Sequence, residues 1–307
     1  MTSSRTLATA QGAHAADFRL GILLVAGSAV TWSFGGTIAR FLTVEDSWTI
    51  VFWRSAFAAG FLLIFMLMRD GWRGTFRLFI SMGWAGLAVS VCFAIGSTSF
   101  VVALAHTTVA NILLMQAGVP LIAALLAWAL FGERVPVATC LAIAAVIAGV
   151  AIMVSESFTG KVSPLGDGLA LLIAVVFAAA VVITRRHANV RMTPAVFFGT
   201  VIGAVVASGL TGQFVVTPVD FAWLFAFGAL NLGFGLAMFA TGARLIPAAL
   251  AALVGTIEPV LGPVWVWLVH AEVPSGRTII GGSIVFSALF VHLLLDWRRQ
   301  RNIRGAA

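Results

Sequence analysis

Sliding the chain against itself by 139 residues brings Glu133 onto Glu272, Pro120 onto Pro259, Trp128 onto Trp267, Gly96 onto Gly235 and Phe100 onto Phe239. Most of both halves consists of apolar runs of about 17–25 residues, the length that crosses the hydrocarbon core of a bilayer. Lipid offers no hydrogen-bond partners, so a chain made of such runs must satisfy its backbone within helices. The repeat therefore predicts an all-α integral membrane protein. Repeated membrane helices are the mark of secondary transporters, whose sites lie between the repeats.

Composition agrees, since 61% of the 307 residues are hydrophobic and 9% are charged. Soluble domains carry about 25% charged residues, so this surface is not made for water. The runs predict spans at 20–42, 48–68, 79–104, 108–131, 137–154, 167–185, 194–210, 220–243, 247–269 and 275–296. They leave room for no soluble domain, and the ends read as short polar tails. Short connections make neighbouring spans antiparallel. Five crossings per half is an odd number, so the second half starts from the opposite side. The expected architecture is ten transmembrane helices as two inverted five-helix repeats, 18–154 and 166–296.

A net charge of +7 invites a nucleic-acid partner. The placement of the charges argues against one, because the basic residues sit in the gaps between apolar runs and form no amphipathic face. With the N-terminus in the cytoplasm, fourteen of the eighteen Lys and Arg fall on that side; Arg40, Arg54, Lys161 and Arg277 fall on the other. That asymmetry places both termini in the cytoplasm of a multi-pass protein of a bacterial-type inner membrane. Arg54, near the outer end of its span, reads as an interfacial anchor that snorkels or pairs with Glu45 or Asp46. Cys92 and Cys140 lie in apolar runs as small hydrophobes. No metal ligand set and no cofactor are expected.

The stretches Asn111–Pro120 to Phe131-Gly132-Glu133 and Leu253–Pro259 to His270-Ala271-Glu272 share one pattern, a Pro about a dozen residues before a Gly-Glu or Ala-Glu that closes a span. The pattern resembles the EamA family of the drug/metabolite transporter superfamily, over about 18–296. Overall similarity is nearest the aromatic amino acid exporters of the YddG type. The resemblance implies ten helices in two inverted halves, a central cavity lined mainly by spans one, three, four, six, eight and nine, and export of amino acids and related metabolites. The second half departs slightly, with Ala271 where Gly132 stands in the first.

Glu258 is the one acidic residue expected deep in a span, where a charge costs at least a few kcal/mol and must face protein or a wet cavity. Beside Pro259, it is a candidate to bind a substrate ammonium or carry a proton; local pairing that tunes helix packing is the alternative. Helical spacing extends the same face to Trp265, a candidate wall for an aromatic substrate or a simple packing residue. In the first half Gln116 occupies the matching face. Asn111 lies about 140° away around the helix, and either amide can instead bond between helices. Ser97 in span three and Asn231 in span eight sit among small residues and read as binding or close-packing positions. Trp32, Ser33 and Thr37 fall near the middle of span one, and Phe177 stands at the aligned level of span six. Pro120 and Pro259 are the candidate helix hinges.

Together these residues predict an exporter working by alternating access, with small-molecule substrates (aromatic or hydrophobic amino acids) and the lipid bilayer as partners. The oligomeric state is left open, a monomer being compatible. The rival within transporters is an exporter of hydrophobic drugs or other metabolites. A dianionic substrate fits poorly, since it calls for several intramembrane Arg or Lys and the central spans are expected to hold none. A membrane enzyme calls for clustered acidic or His residues, which the scattered carboxylates do not supply.

Overall fold

A computed structural model of the protein describes residues 2–132, 136–155, 163–187 and 189–305. Glu133, Arg134 and Lys161, expected in connecting loops, lie outside them. In chain order the helices are α1 (Thr2–Ser33), α2 (Gly35–Arg40), α3 (Ser47–Ser81), α4 (Gly83–Leu104), α5 (Val109–Gln116), α6 (Val119–Phe131), α7 (Val137–Val154), α8 (Pro164–Arg186), α9 (Thr193–Ser208), α10 (Pro218–Phe225), a π-helical segment (Ala226–Phe234), α11 (Gly235–Gly242), α12 (Ala248–Gly255), α13 (Ile257–His270) and α14 (Gly276–Gly305). No strand occurs among the described residues.

Among the described residues, eight helical stretches are long and apolar enough to cross a membrane, and nine if α5 and α6, bent by 43°, make one span. The expected span at 194–210 corresponds to α9, which has 16 residues. At about 1.5 Å per residue it is shorter than a hydrocarbon core of about 30 Å. Large apolar side chains point outward all round: Met68 is 83% exposed, Trp84 81% and Leu268 62%. An outer surface of that kind is solvated by acyl chains.

The expected loop at 69–78 is helical. α3 continues to Ser81 past a break at Gly71, whose φ of 66° suits a residue without Cβ. Beyond the break, Trp72, Phe76 and Ile80 recur every fourth residue and are all exposed, with Arg73 and Arg77 beside them. That is the pattern of a helix lying along the membrane interface.

Small residues decide which helices touch, since apolar packing against a neighbour gains little over packing against lipid. α3 packs on α9, α4 on α8, α1 on α11, α5 on α13 and α7 on α14. In the last pair Gly149 and Gly281 face one another so closely that a Cβ on either would meet the other's carbonyl oxygen, at 2.6 and 2.4 Å. The aligned glycines Gly96 and Gly235 play matching parts: Gly96 seats the Phe177 ring from α8, and Gly235 the Trp32 ring from α1.

Fourteen buried residues drawn from many helices, including Val51, Val101, Val109, Ile112, Ile173, Phe227 and Val266, form one continuous core toward the end of the bundle that carries Glu272. Toward the other end the buried residues divide into three groups, around Leu121 and Val285, around Val25 and Ile246, and around Ala127 and Val182.

Candidate functional site

Three interrupted helices meet in the middle of the bundle. α1 gives way to α2 at Phe34, α5 to α6 at Ala117–Gly118, and α12 to α13 at Thr256. Each interruption frees backbone groups, which at membrane depth is tolerated where they are buried in protein or line a cavity. Pro120 is the second residue of α6 and Pro259 the third of α13. In a first turn the missing N–H would have had no intrahelical partner, so the prolines restart helices at no hydrogen-bond cost. The irregularity lies just before each of them.

A cavity of about 250 Å³ occupies this level. Trp32, Phe93, Phe100 and Phe177 give it an aromatic wall; Arg54, Ser97, Gln116, Asn231 and Glu258 supply its polar groups. A second hollow of about 210 Å³ shares Gln116, Phe177 and Glu258 and runs between the two interrupted pairs to Leu289. Glu258 and Gln116, expected on matching faces, thus border both hollows. Glu258 is the second residue of α13, where the helix dipole favours a negative charge. Its carboxylate has no hydrogen-bond or ion-pair partner among the described residues, and Gln116 Nε2 is buried without one.

The other expected residues divide. Trp32 and Ser97 border the cavity, and Ser97 Oγ accepts from Arg54 Nη1 at 2.8 Å. Asn231 borders it too, but its amide donates to the carbonyls of Thr31 and Trp32 at the broken end of the first span. Ser33, Thr37, Asn111 and Trp265 lie elsewhere. The Trp265 indole N–H donates to Ser33 Oγ at 3.0 Å while its ring stacks on Phe34, with centroids 5.0 Å apart. The Thr37 carbonyl lies 3.1 Å from His270 Nε2. The Asn111 amide donates to Thr107 Oγ1 and to Asp167, tying α5 to α8.

Arg54 departs from the sequence reading. It is no interfacial anchor: it is 6% exposed, its guanidinium lies 4.3 Å from the Phe227 ring centroid, and it borders the cavity. Asp46, proposed as its partner, instead caps α3, accepting from Trp48 N, Thr49 N and Thr49 Oγ1, and also from Thr211 Oγ1. Partial burial opposes charge on Asp46, but those hydrogen bonds outweigh it and hold its carboxyl below the usual carboxylate range. The signal for Arg54 was present in the sequence as a lone cation inside an apolar run, which marks a functional position by default.

At the Glu272 end, Arg40 Nε meets Glu272 Oε2 at 2.9 Å. Arg40 also donates to the Leu104 and Thr107 carbonyls, and Glu272 Oε1 accepts from Val109 N. The pair thus satisfies the orphan groups where α4 ends and α5 begins.

An aromatic hollow with a few convergent polar groups suits one small organic molecule. The EamA-like transporter family model matches residues 19–155 and again 164–294. The pseudopaline exporter CntI of Pseudomonas aeruginosa, the same in two strains, is 29% identical over 281 residues, covering 87% of this chain and 94% of its own. A solved crystal structure is similar at a TM-score of 0.62 and 17% identity, with 91% of this chain and 98% of that one covered. At that identity it speaks for the fold alone.

Proposed function

The chain belongs to the EamA-like transporter family, and on that premise we propose that it exports amino acids, aromatic and hydrophobic ones foremost, by alternating access through the central cavity. The observation that carries this reading is an unpaired Glu258 carboxylate in a hollow walled by the rings of Trp32, Phe93, Phe100 and Phe177. In the proposal Glu258 takes the substrate ammonium, Gln116 offers its amide, and the ring of Trp32, with those of Phe93, Phe100 and Phe177, holds the apolar body.

The segments 18–154 and 166–296 act as the two inverted halves, ten crossings in all, with α9 as the shortest. The pattern of helix pairs supports this. If each span corresponds to the one five places later, the α4–α8 and α1–α11 contacts exchange, while the α3–α9, α5–α13 and α7–α14 contacts map onto themselves. The halves rock about the interruptions before Pro120 and Pro259. With both termini in the cytoplasm of an inner membrane, the Glu272 end faces out and is the closed one. The chain acts as a transporter and not as an enzyme.

Counterflow in proteoliposomes with a panel of labelled amino acids and cationic drugs tests the reading. Glu258→Gln should cut amino-acid counterflow about 10-fold or more, the scale of one lost charged contact, and flatten its pH dependence. Full transport with an unchanged pH profile would remove Glu258 from the mechanism. The description of the Pseudomonas relative favours a second reading, export of a different small metabolite. It gains if no amino acid in the panel exchanges.

A further inference from the structure

The cavity contains a cation that the protein leaves unanswered. Arg54 is 94% buried, yet no carboxylate pairs with it: the ion pairs among the described residues are Arg40–Glu272 and Arg191–Asp70. A guanidinium carries five N–H donors. Nη1 reaches Ser97 Oγ at 2.8 Å and the Ser97 carbonyl at 3.4 Å, Nε is buried without a partner, and Nη2 makes no hydrogen bond to a described residue. The faces of Phe227 and Phe100, with centroids 4.3 and 5.5 Å from Cζ, offset part of the cost of burial. They supply no acceptor. A buried charge that is unpaired by its own protein waits for a partner.

Glu258 borders the same cavity and is equally unpaired, so the hollow presents one fixed cation and one acid that do not neutralise each other. We infer that Arg54 is the carboxylate-binding group of the cavity, receiving a monoanionic carboxylate on the N–H donors that Ser97 leaves unfilled while Glu258 receives the ammonium of the same molecule. One guanidinium matches one carboxylate in charge and in fork geometry; a phosphate dianion would need further cations, and no other among the described residues borders the cavity. The assignment rests on the export reading above but goes past it, since it gives the substrate an obligatory acidic group.

The test uses the purified full chain in nanodiscs and three probes with the same ring. L-phenylalanine has both charges, phenethylamine lacks the carboxylate, and 3-phenylpropionate lacks the ammonium. Arg54→Gln should weaken binding of phenylalanine and phenylpropionate about 10- to 100-fold, the scale of one charge-assisted bidentate contact, and leave phenethylamine within about twofold. Arg54→Lys, which keeps charge without the fork, should fall between and reads the same ratio should the Gln variant fail to fold. A purely structural Arg54 would lower all three probes together, and that result overturns the assignment. So does wild-type protein that binds neither carboxylate. Wild-type binding of phenylpropionate without phenylalanine, lost in Arg54→Gln, would sink amino-acid export while keeping Arg54 as the carboxylate site.

Discussion

At its Glu272 end the bundle is sealed by one continuous core that many helices share, whereas toward its Leu289 end the buried residues fall into three separate groups with a hollow among them. The polar contacts follow the same division. Arg40 and Glu272 join the ends of α2, α4, α5 and α13 across the two halves. At the opposite end Arg191 grips Asp70 at 2.8 and 3.1 Å, which ties the connection after α8 to α3 and leaves α1, α5 and α13 free of it. A carboxylate whose every partner is present, such as Glu272, holds structure; one without a partner among the described residues, such as Glu258, is the one proposed above to meet a ligand. If the proposed alternating access holds, these contacts at the Glu272 end are given up when it opens, and their total must stay small.

Removing the ion pair is the strongest way to break this contrast. Arg40→Ala strips two helix-end carbonyls and Glu272 of their donor, at a cost of about 2 kcal/mol for a partly buried pair, between the exposed and buried extremes. Alkylation of a cysteine placed at Thr37, in a background lacking Cys92 and Cys140, should then rise about 10-fold or more, since 1.4 kcal/mol is tenfold. An unchanged rate would mean that the apolar core alone seals this end.

Gly36→Ala attacks that core directly. Its Cβ would sit 2.4 Å from Val109 Cγ1, and a β-branched neighbour has little rotamer freedom with which to yield. Overpacking of this kind costs about 1–3 kcal/mol, so the melting temperature in detergent should drop. Equal stability would show the seal to be loose.

Asp46→Ala removes the cap of α3 and its link to Thr211, worth about 1 kcal/mol at neutral pH. Because the folded carboxyl titrates below its ordinary value of 3.8, its contribution is present above that value and disappears as pH falls through the lower folded one. Wild type and variant should therefore differ in melting at pH 7 and converge in acid. A difference that stays as large under the most acidic conditions the fold survives as at pH 7 would count against the cap. The smallest effect is expected for Ser33→Ala, which deprives the Trp265 indole of its acceptor for about 0.5–1 kcal/mol. Loss of aromatic-substrate transport without loss of stability would instead draw Trp265 into the binding site.

Parts of the site that depend on local periodicity could be read from the chain. Gln116 and Glu258 share a hollow because the 139-residue alignment and the helical repeat together set their faces. Trp32 and Phe177 stand 145 positions apart, outside that register, yet both border the cavity, where the aligned glycines Gly235 and Gly96 prove to be their seats. Arg54 was misplaced because its depth is decided by Phe227, more than 170 positions away, and by Ser97 on another helix. Asn231 was legible as a cavity residue but not as the donor that answers the broken end of α1, because no sequence pattern marked a break at Phe34.

The sequence by itself determined that the chain lives in lipid, repeats its plan and keeps a carboxylate among apolar residues, because hydropathy, span length and spacing are properties of contiguous residues. Tertiary structure alone decided which end is sealed, which polar groups are answered and which are left waiting. Those outcomes depend on contacts between helices far apart in the chain, where a few ångströms separate a hydrogen bond from an empty donor.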